Sequence, residues 1–244
     1  MHHIARLFVE NSLSASALIE LNSQQSHYVA KVMRLRLGGK LRLFNGQDGE
    51  WSASVHQLDK RKVQLQVQTL LRQQVSCPDI ELVFAPVKRS RMEFIVEKAT
   101  ELGASSLQVV RTDHTSQKTV RFDRLNSIVI EAAEQTERLD IPQIFEEQAL
   151  VDWRSGFPND RVLVFCDESG TQTRPILSAL RSVSCLPISV LIGPEGGFSK
   201  TERTALRALA GALPVSLGPR ILRSDTAAVA ALTLVQSVCG DWQA

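Results

Sequence analysis

The chain has 244 residues, 43% hydrophobic and 22% charged, with a formal net charge of +2. This is globular usage; it excludes disorder, collagen and coiled coil, and a chain this long can fold without disulfide or metal staples. No run approaches the ~18 apolar residues of a membrane span, and Cys77, Cys166, Cys185 and Cys239 are spaced as reduced thiols, not as a disulfide or zinc framework.

The opening MHHIARLFVE has no apolar signal core, so a cytoplasmic location is expected. The small total charge conceals a split: residues 1–74 carry 10 basic and 5 acidic side chains, the remainder 18 and 21. A polyanion-binding front module joined to a differently tasked domain is therefore expected. In that module Arg6–Val9 predicts a short strand and Ser26–Arg34 a helix ending before Gly38-Gly39. Leu41–Phe44, Trp51–Leu58 and Val63–Val67 predict strands, with turn signals at Asn45-Gly46 and Asp48-Gly49. Val63, Leu65 and Val67 alternate with Gln64, Gln66 and Gln68, the period of a half-buried strand. Short strands with glycine turns predict a small β-barrel over residues 1–74, and Gln73–Pro78 reads as the linker.

From residue 75 onward strands and helices alternate. Ile80–Ala85, Leu107–Val110, Arg161–Cys166, Ile188–Ile192 and Val215–Leu217 predict strands. Arg91–Leu102, Phe122–Glu137, Ile176–Arg181, Thr201–Leu209 and Asp225–Val238 predict helices. Such alternation predicts an α/β domain over residues 75–244 built on a parallel sheet covered on both faces.

No dinucleotide-binding G-x-G-x-x-G, Walker A, H-E-x-x-H or G-x-S-x-G pattern occurs, and the scattered histidines predict no metal site. Two loops at the carboxyl ends of predicted strands carry the chemistry. The first, Ile192-Gly193-Pro194-Glu195-Gly196-Gly197, leads into a capping box of Ser199 and Glu202. A simple strand-to-helix turn needs one or two glycines; three with a proline suit a backbone that a ligand approaches closely. The second is Leu217-Gly218-Pro219-Arg220-Ile221-Leu222-Arg223-Ser224-Asp225-Thr226. Ile221 and Leu222, set between two arginines, wall an apolar pocket or fold back onto the core, and Ser224 or Asp225 is expected to cap the next helix. The stripe Lys31, Arg34, Arg36, Lys40 and Arg42 has no acidic residue among it and, with Arg6, is the candidate nucleic-acid phosphate surface; a solvated charged face is the plainer alternative.

The strings KRSRMEFIVEKATELGA, EAAEQTERLDIP, LIGPEGGFSKTE and LGPRILRSDTAA resemble the RsmE family, small-subunit rRNA uridine methyltransferases of the SPOUT (α/β-knot) class. HYVAKVMRLRLGGKLRLFNGQDGEW resembles the PUA-like β-barrel of that family. The resemblance implies a C-terminal trefoil knot whose loops hold S-adenosylmethionine: Asp167-Glu168-Ser169; Ile192, Gly193, Pro194, Glu195, Gly196 and Gly197; and Leu217, Gly218, Ile221, Leu222, Ser224 and Thr226. Gly193 and Gly197 would admit its methionine half. It implies methylation of ring nitrogen 3 of a uridine in 16S rRNA, a homodimer, and no metal. Arg138, Arg220 and Arg223 become candidates for stabilising the developing anion. Glu195 and Asp225 become candidate proton acceptors, although either carboxylate could serve only to hold its loop.

Two departures stand out: Asp225 where the family often has Glu, and Thr136-Glu137-Arg138-Leu139-Asp140 where it often has a Gly-Arg-x-Arg run. The small, apolar closing helix suits a twofold contact, with Ala231 expected in it. Two other readings compete: a non-enzymatic RNA-binding or ribosome-assembly protein on the same fold, and a knotted methyltransferase with another RNA target.

Overall fold

The computed structural model describes residues 4–59, 62–168, 173–183 and 187–243. The chain forms two compact units, one of residues up to Ser76 with Ala133–Ile141, the other of Cys77–Ala132 with Pro142 onward.

The first unit contains β1 (Arg6–Phe8), β2 (Leu18–Glu20), α1 (Ser23–His27), a π-helical turn over Tyr28–Val32, β3 (Lys40–Phe44), β4 (Glu50–Leu58) and β5 (Val63–Arg72). The strands form one mixed sheet in the order β1-β3-β4-β5-β2, with β1 parallel to β3 and the other pairs antiparallel. Register shifts along β4 and β5 bend this ladder. The predicted alternation holds, with Val63, Leu65 and Val67 at most 1% exposed and packed with Leu7, Ile19, Val29 and Leu41. The expected helix at Ser26–Arg34 begins earlier because Asn22 and Gln25 form a capping box.

Arg6, expected on the RNA surface, is instead in the core. Its side chain has no exposure; Nε donates to Glu50 Oε1 at 2.6 Å, and the other nitrogens donate to the carbonyls of Ala133, Glu134 and Arg138 at 2.6–3.1 Å. The guanidinium also sits 4.3 Å from the centre of the Phe44 ring. Burial pulls Arg6 below the ordinary arginine value, while the hydrogen bond and charge of Glu50 push back. A charge so placed ties segment 133–138 to the sheet and is out of reach of RNA.

Arg42 is partly spent too, lying 3.3 Å from both Glu50 and Glu137. Lys31, Arg34, Arg36 and Lys40 remain exposed. Arg138, expected to be catalytic, is buried in this first unit and grips Asp140 through Nε at 2.7 Å. Glu137 takes φ 60°, a left-handed conformation that glycine adopts more readily than other residues. Glu137 and Asp140 thus neutralise Arg42, Arg72 and Arg138 within the unit.

The second unit contains β6 (Ile80–Phe84), α2 (Arg89–Glu101), β7 (Ser106–Arg111), α3 (Phe122–Gln135, whose end belongs to the first unit), β8 (Gln143–Ala149), α4 (Leu150–Ser155) and β9 (Val162–Cys166). Then come β10 (Arg174–Pro175), α5 (Ile176–Leu180), β11 (Ile188–Ile192), α6 (Lys200–Arg207), β12 (Ala212–Ser216) and α7 (Ser224–Cys239). The sheet is parallel throughout, in the order β10-β12-β9-β11-β6-β7-β8. All five residues of β11 are buried, as an apolar run inside a covered parallel sheet should be.

Helix α7 packs on α2, α5 and β11, and Ala231, Leu232 and Val235 are at most 1% exposed. Ala231 therefore belongs to the core of the single chain, not to a contact between chains. A glutamate there would bury an unpaired charge and disrupt the fold, so it is no probe of assembly.

Candidate active site

Three loops leave the carboxyl ends of the neighbouring strands β9, β11 and β12 and enclose one cleft. Its empty space, open mouth included, is about 750 Å³. The β9 loop contributes Cys166, Asp167 and Glu168; the β11 loop Ile192, Gly193, Pro194, Gly197 and Phe198. The β12 loop contributes Ser216 to Leu222, and the start of α7 adds Ser224 and Ala227. Most of the residues expected from the sequence thus converge. Glu195, Gly196, Arg223, Asp225 and Thr226 lie outside the cleft wall, Arg138 is in the other unit, and Ser169 lies outside the described residues.

Each loop is held by named bonds. The Asp167 carboxylate accepts from Arg207 of α6 at 2.5 Å, and its N–H donates to Val215. Ser224, expected as a cap, instead donates its hydroxyl to the Gly193 carbonyl at 2.8 Å, tying the β11 loop to α7; the cap position is Arg223, without a side-chain bond. Ser199 and Glu202 form the expected capping box. The other Glu202 oxygen accepts from the Asp113 N–H at 2.8 Å, and His114 Nδ1 lies 2.9 Å from the Gly196 carbonyl. The turn after β7 therefore braces the glycine loop, a role the scattered-histidine pattern did not suggest.

Two glycines are needed for different reasons. Gly197 has φ 63°, and a Cβ there would collide with Glu168 Oε1. A Cβ on Gly193 would lie 2.8 Å from the Phe198 ring. Packing inside the loop already requires glycine at Gly193, without any ligand.

The cleft is polar at one end and apolar at the other. Glu168 is exposed. Cys166 is only half-buried as a residue, but its thiol is enclosed, which pushes it up to about 12 and keeps it neutral. Ile221 is 81% exposed at the mouth, unusual for so large an apolar side chain, and Arg220 is exposed on the same loop.

At the rim, Glu195 Oε1 lies 3.5 Å from Arg91 Nη1, and Asp225 Oδ2 lies 3.9 Å from Arg91 Nε. Arg91 was not singled out from the sequence, because nothing local in α2 announces partners so distant in the chain. Among the described residues no His, Cys, Asp or Glu group is arranged to hold a metal ion, and no helix is long and apolar enough to cross a membrane.

The profile of an RNA methyltransferase domain matches residues 74–236, and that of an RNA methyltransferase PUA domain matches residues 21–68. The ribosomal RNA small subunit methyltransferase E of Rickettsia conorii is 32% identical over 232 residues, 95% of this chain and 94% of that protein. The chain belongs to the ribosomal RNA small subunit methyltransferase E family. Its Bacillus subtilis relative is 29% identical over 250 residues, 94% and 95% of the two chains. A putative methyltransferase of Legionella pneumophila, solved in complex with the bound cofactor SAM, is 29% identical with a TM-score of 0.86, covering 98% and 99%. The Neisseria gonorrhoeae family member shares the fold at a TM-score of 0.85 and 24% identity. In the present chain the methyltransferase match spans all three cleft loops, and the PUA match spans Lys31, Arg34, Arg36 and Lys40.

Proposed function

We propose that this methyltransferase methylates ring nitrogen 3 of a uridine in the 16S rRNA of the small ribosomal subunit, working as a homodimer in the cytoplasm. The observation that carries the reading is the three-loop cleft with two carboxylates at its rim. S-adenosylmethionine suits the cleft: exposed Ile221 and half-buried Leu222 offer an apolar wall to adenine, and the Glu168 carboxylate offers a partner to positive charge. When bound it supplies a sulfonium methyl group, whose S–C bond breaks as the N–C bond to the uridine forms.

The residues of the chain must do the rest. Nitrogen 3 of uracil carries a proton at neutral pH, so a base must accept it and positive charge must oppose the anion left behind. On this reading Glu195 or Asp225 accepts the proton. Arg220 and Arg223, both exposed on the β12 loop, are available to RNA phosphate. The half-buried Val229, Ala230, Thr233 and Leu234 form one side of α7 and are the proposed twofold contact. The same reading threads the last third of the catalytic domain as a knot, against the usual rule.

The test is to incubate the protein, first shown by light scattering to be a dimer, with S-adenosylmethionine and 16S rRNA or small subunits. Nucleoside mass mapping should find 3-methyluridine. No methylation, or methylation at another atom, would overturn the reading.

The front stripe has its own expected result. Arg34→Ala combined with Arg36→Ala should weaken RNA binding and flatten its salt dependence. Each lost phosphate contact should lower the slope of log K against log salt by about 0.7–0.9. Affinity for S-adenosylmethionine should not change. An unaltered slope would place the RNA surface elsewhere.

A further inference from the structure

Arg91 meets one carboxylate from the β11 loop and one from the first turn of α7, and the scheme above gives it no task. Its contacts of 3.5 and 3.9 Å are loose, since charge-assisted N–H···O bonds run about 2.7–2.9 Å. The side chains of Arg91, Glu195 and Asp225 are 26%, 39% and 20% exposed. A structural arginine in this chain looks different: the Arg6 side chain is fully enclosed and tightly bonded. Arg91 keeps a planar fork of donors within reach of a guest. The cluster also stands where a nucleobase would arrive. Glu195 follows Pro194 and Asp225 follows Ser224, and both preceding residues line the cleft.

We propose that Arg91, Glu195 and Asp225 form the uracil subsite, in which a carboxylate accepts the N3–H and the Arg91 guanidinium donates to an adjacent ring carbonyl oxygen. This rests on the uridine reading above. The pairing edge of uracil presents acceptor, donor, acceptor; a carboxylate beside an arginine is its complement. Cytosine presents a bare N3 lone pair, which a carboxylate repels. As the N3–H bond breaks, the proton passes to the carboxylate and the electron pair spreads over N3, O2 and O4. The Arg91 charge then faces a growing negative charge on oxygen, so its contribution is larger in that state than with neutral uracil.

The experiment uses the full chain and a 16S rRNA fragment carrying uridine or the more acidic 5-fluorouridine at the target. With S-adenosylhomocysteine present, fluorine NMR reads ionisation of the fluorouracil directly. Bound to the unsubstituted protein, the base should ionise at lower pH than in free RNA. Arg91→Gln should abolish that displacement and Arg91→Lys should retain part of it. In methyl transfer, Arg91→Gln should lower kcat on the order of 10²–10³-fold with uridine and much less with 5-fluorouridine. Calorimetry should show unchanged binding of S-adenosylmethionine.

Equal losses on both substrates with an unaltered fluorine titration would overturn the proposal. Should Arg91→Gln lose S-adenosylmethionine binding, Arg91→Lys decides: binding retained with no displaced titration also overturns it. If the unsubstituted protein fails to methylate uridine, the functional reading falls first and this one with it.

Discussion

Gly197→Val is expected to lower affinity for S-adenosylmethionine on the order of 100-fold, while most of the fold's stability survives. The position has φ 63°, which costs a non-glycine residue about 1–3 kcal/mol, and more for a β-branched one. A Cβ would also meet Glu168 Oε1, so that exposed carboxylate must swing aside at small cost and the backbone strain is the main effect. The loop cannot easily yield, because Ser224, Glu202 and His114 hold it from three other segments. Strain therefore emerges as displacement of the cleft wall, and about 1.4 kcal/mol of lost complementarity is a tenfold change in binding. Gly196→Ala is the control. Its Cβ would lie 3.1 Å from His114 Cβ and φ is not positive, so a small shift accommodates it. Calorimetry with a melting curve separates binding from folding. Full affinity in Gly197→Val would mean that the glycine loop is not the cofactor site.

Arg6→Ala is expected to destabilise the first unit by about 3–5 kcal/mol, the cost of breaking a buried ion pair from one side. Glu50, itself 1% exposed at its side chain, would lose its 2.6 Å partner and keep only Arg42 at 3.3 Å and Arg72 at 3.9 Å. The carbonyls of Ala133 and Arg138 would lose their bonds from the guanidinium, and an unsatisfied buried polar group carries its own penalty. Arg34→Ala, an exposed change in the same unit, should stay within about 0.5 kcal/mol. Denaturant unfolding of the two variants checks this. A loss below about 1 kcal/mol for Arg6→Ala would mean that the buried cluster does not hold segment 133–138.

The contrast between Arg6 and Arg34 also marks where sequence reading stops. Local rules worked where the determinants are local: the apolar run of β11 is found at Ile188–Ile192 as expected, and the Ser199–Glu202 box caps α6. β8, Gln143–Ala149, was missed because it is an edge strand with most side chains partly or fully exposed, so no apolar alternation marks it. Arg6 looks like any basic residue on a short strand, and only the fold brings Glu50 and Ala133 to it. Within the site, the glycines and the Ile221–Leu222 pair were legible because backbone chemistry is written in residue type. Arg91 and His114 were not, since each acts through a contact with a loop far along the chain. The resemblance to the RsmE family gave the family correctly, but it did not foresee that Arg138 would be buried or that Gly193 would be required by Phe198.

The discontinuity of the first unit has a temporal meaning. Phe44 packs with Ala133 and Leu139, and Arg6 waits for the carbonyls of Ala133 and Arg138. A ribosome building this chain from its N-terminus must therefore pass well beyond Ser76 before those partners exist. At about 5–20 residues per second, the nascent barrel holds a guanidinium paired with Glu50 but short of its carbonyl partners, and an unmatched aromatic face, for several seconds. What comes first in synthesis is not what is finished first, and the interval is when quality-control factors would find this protein most vulnerable.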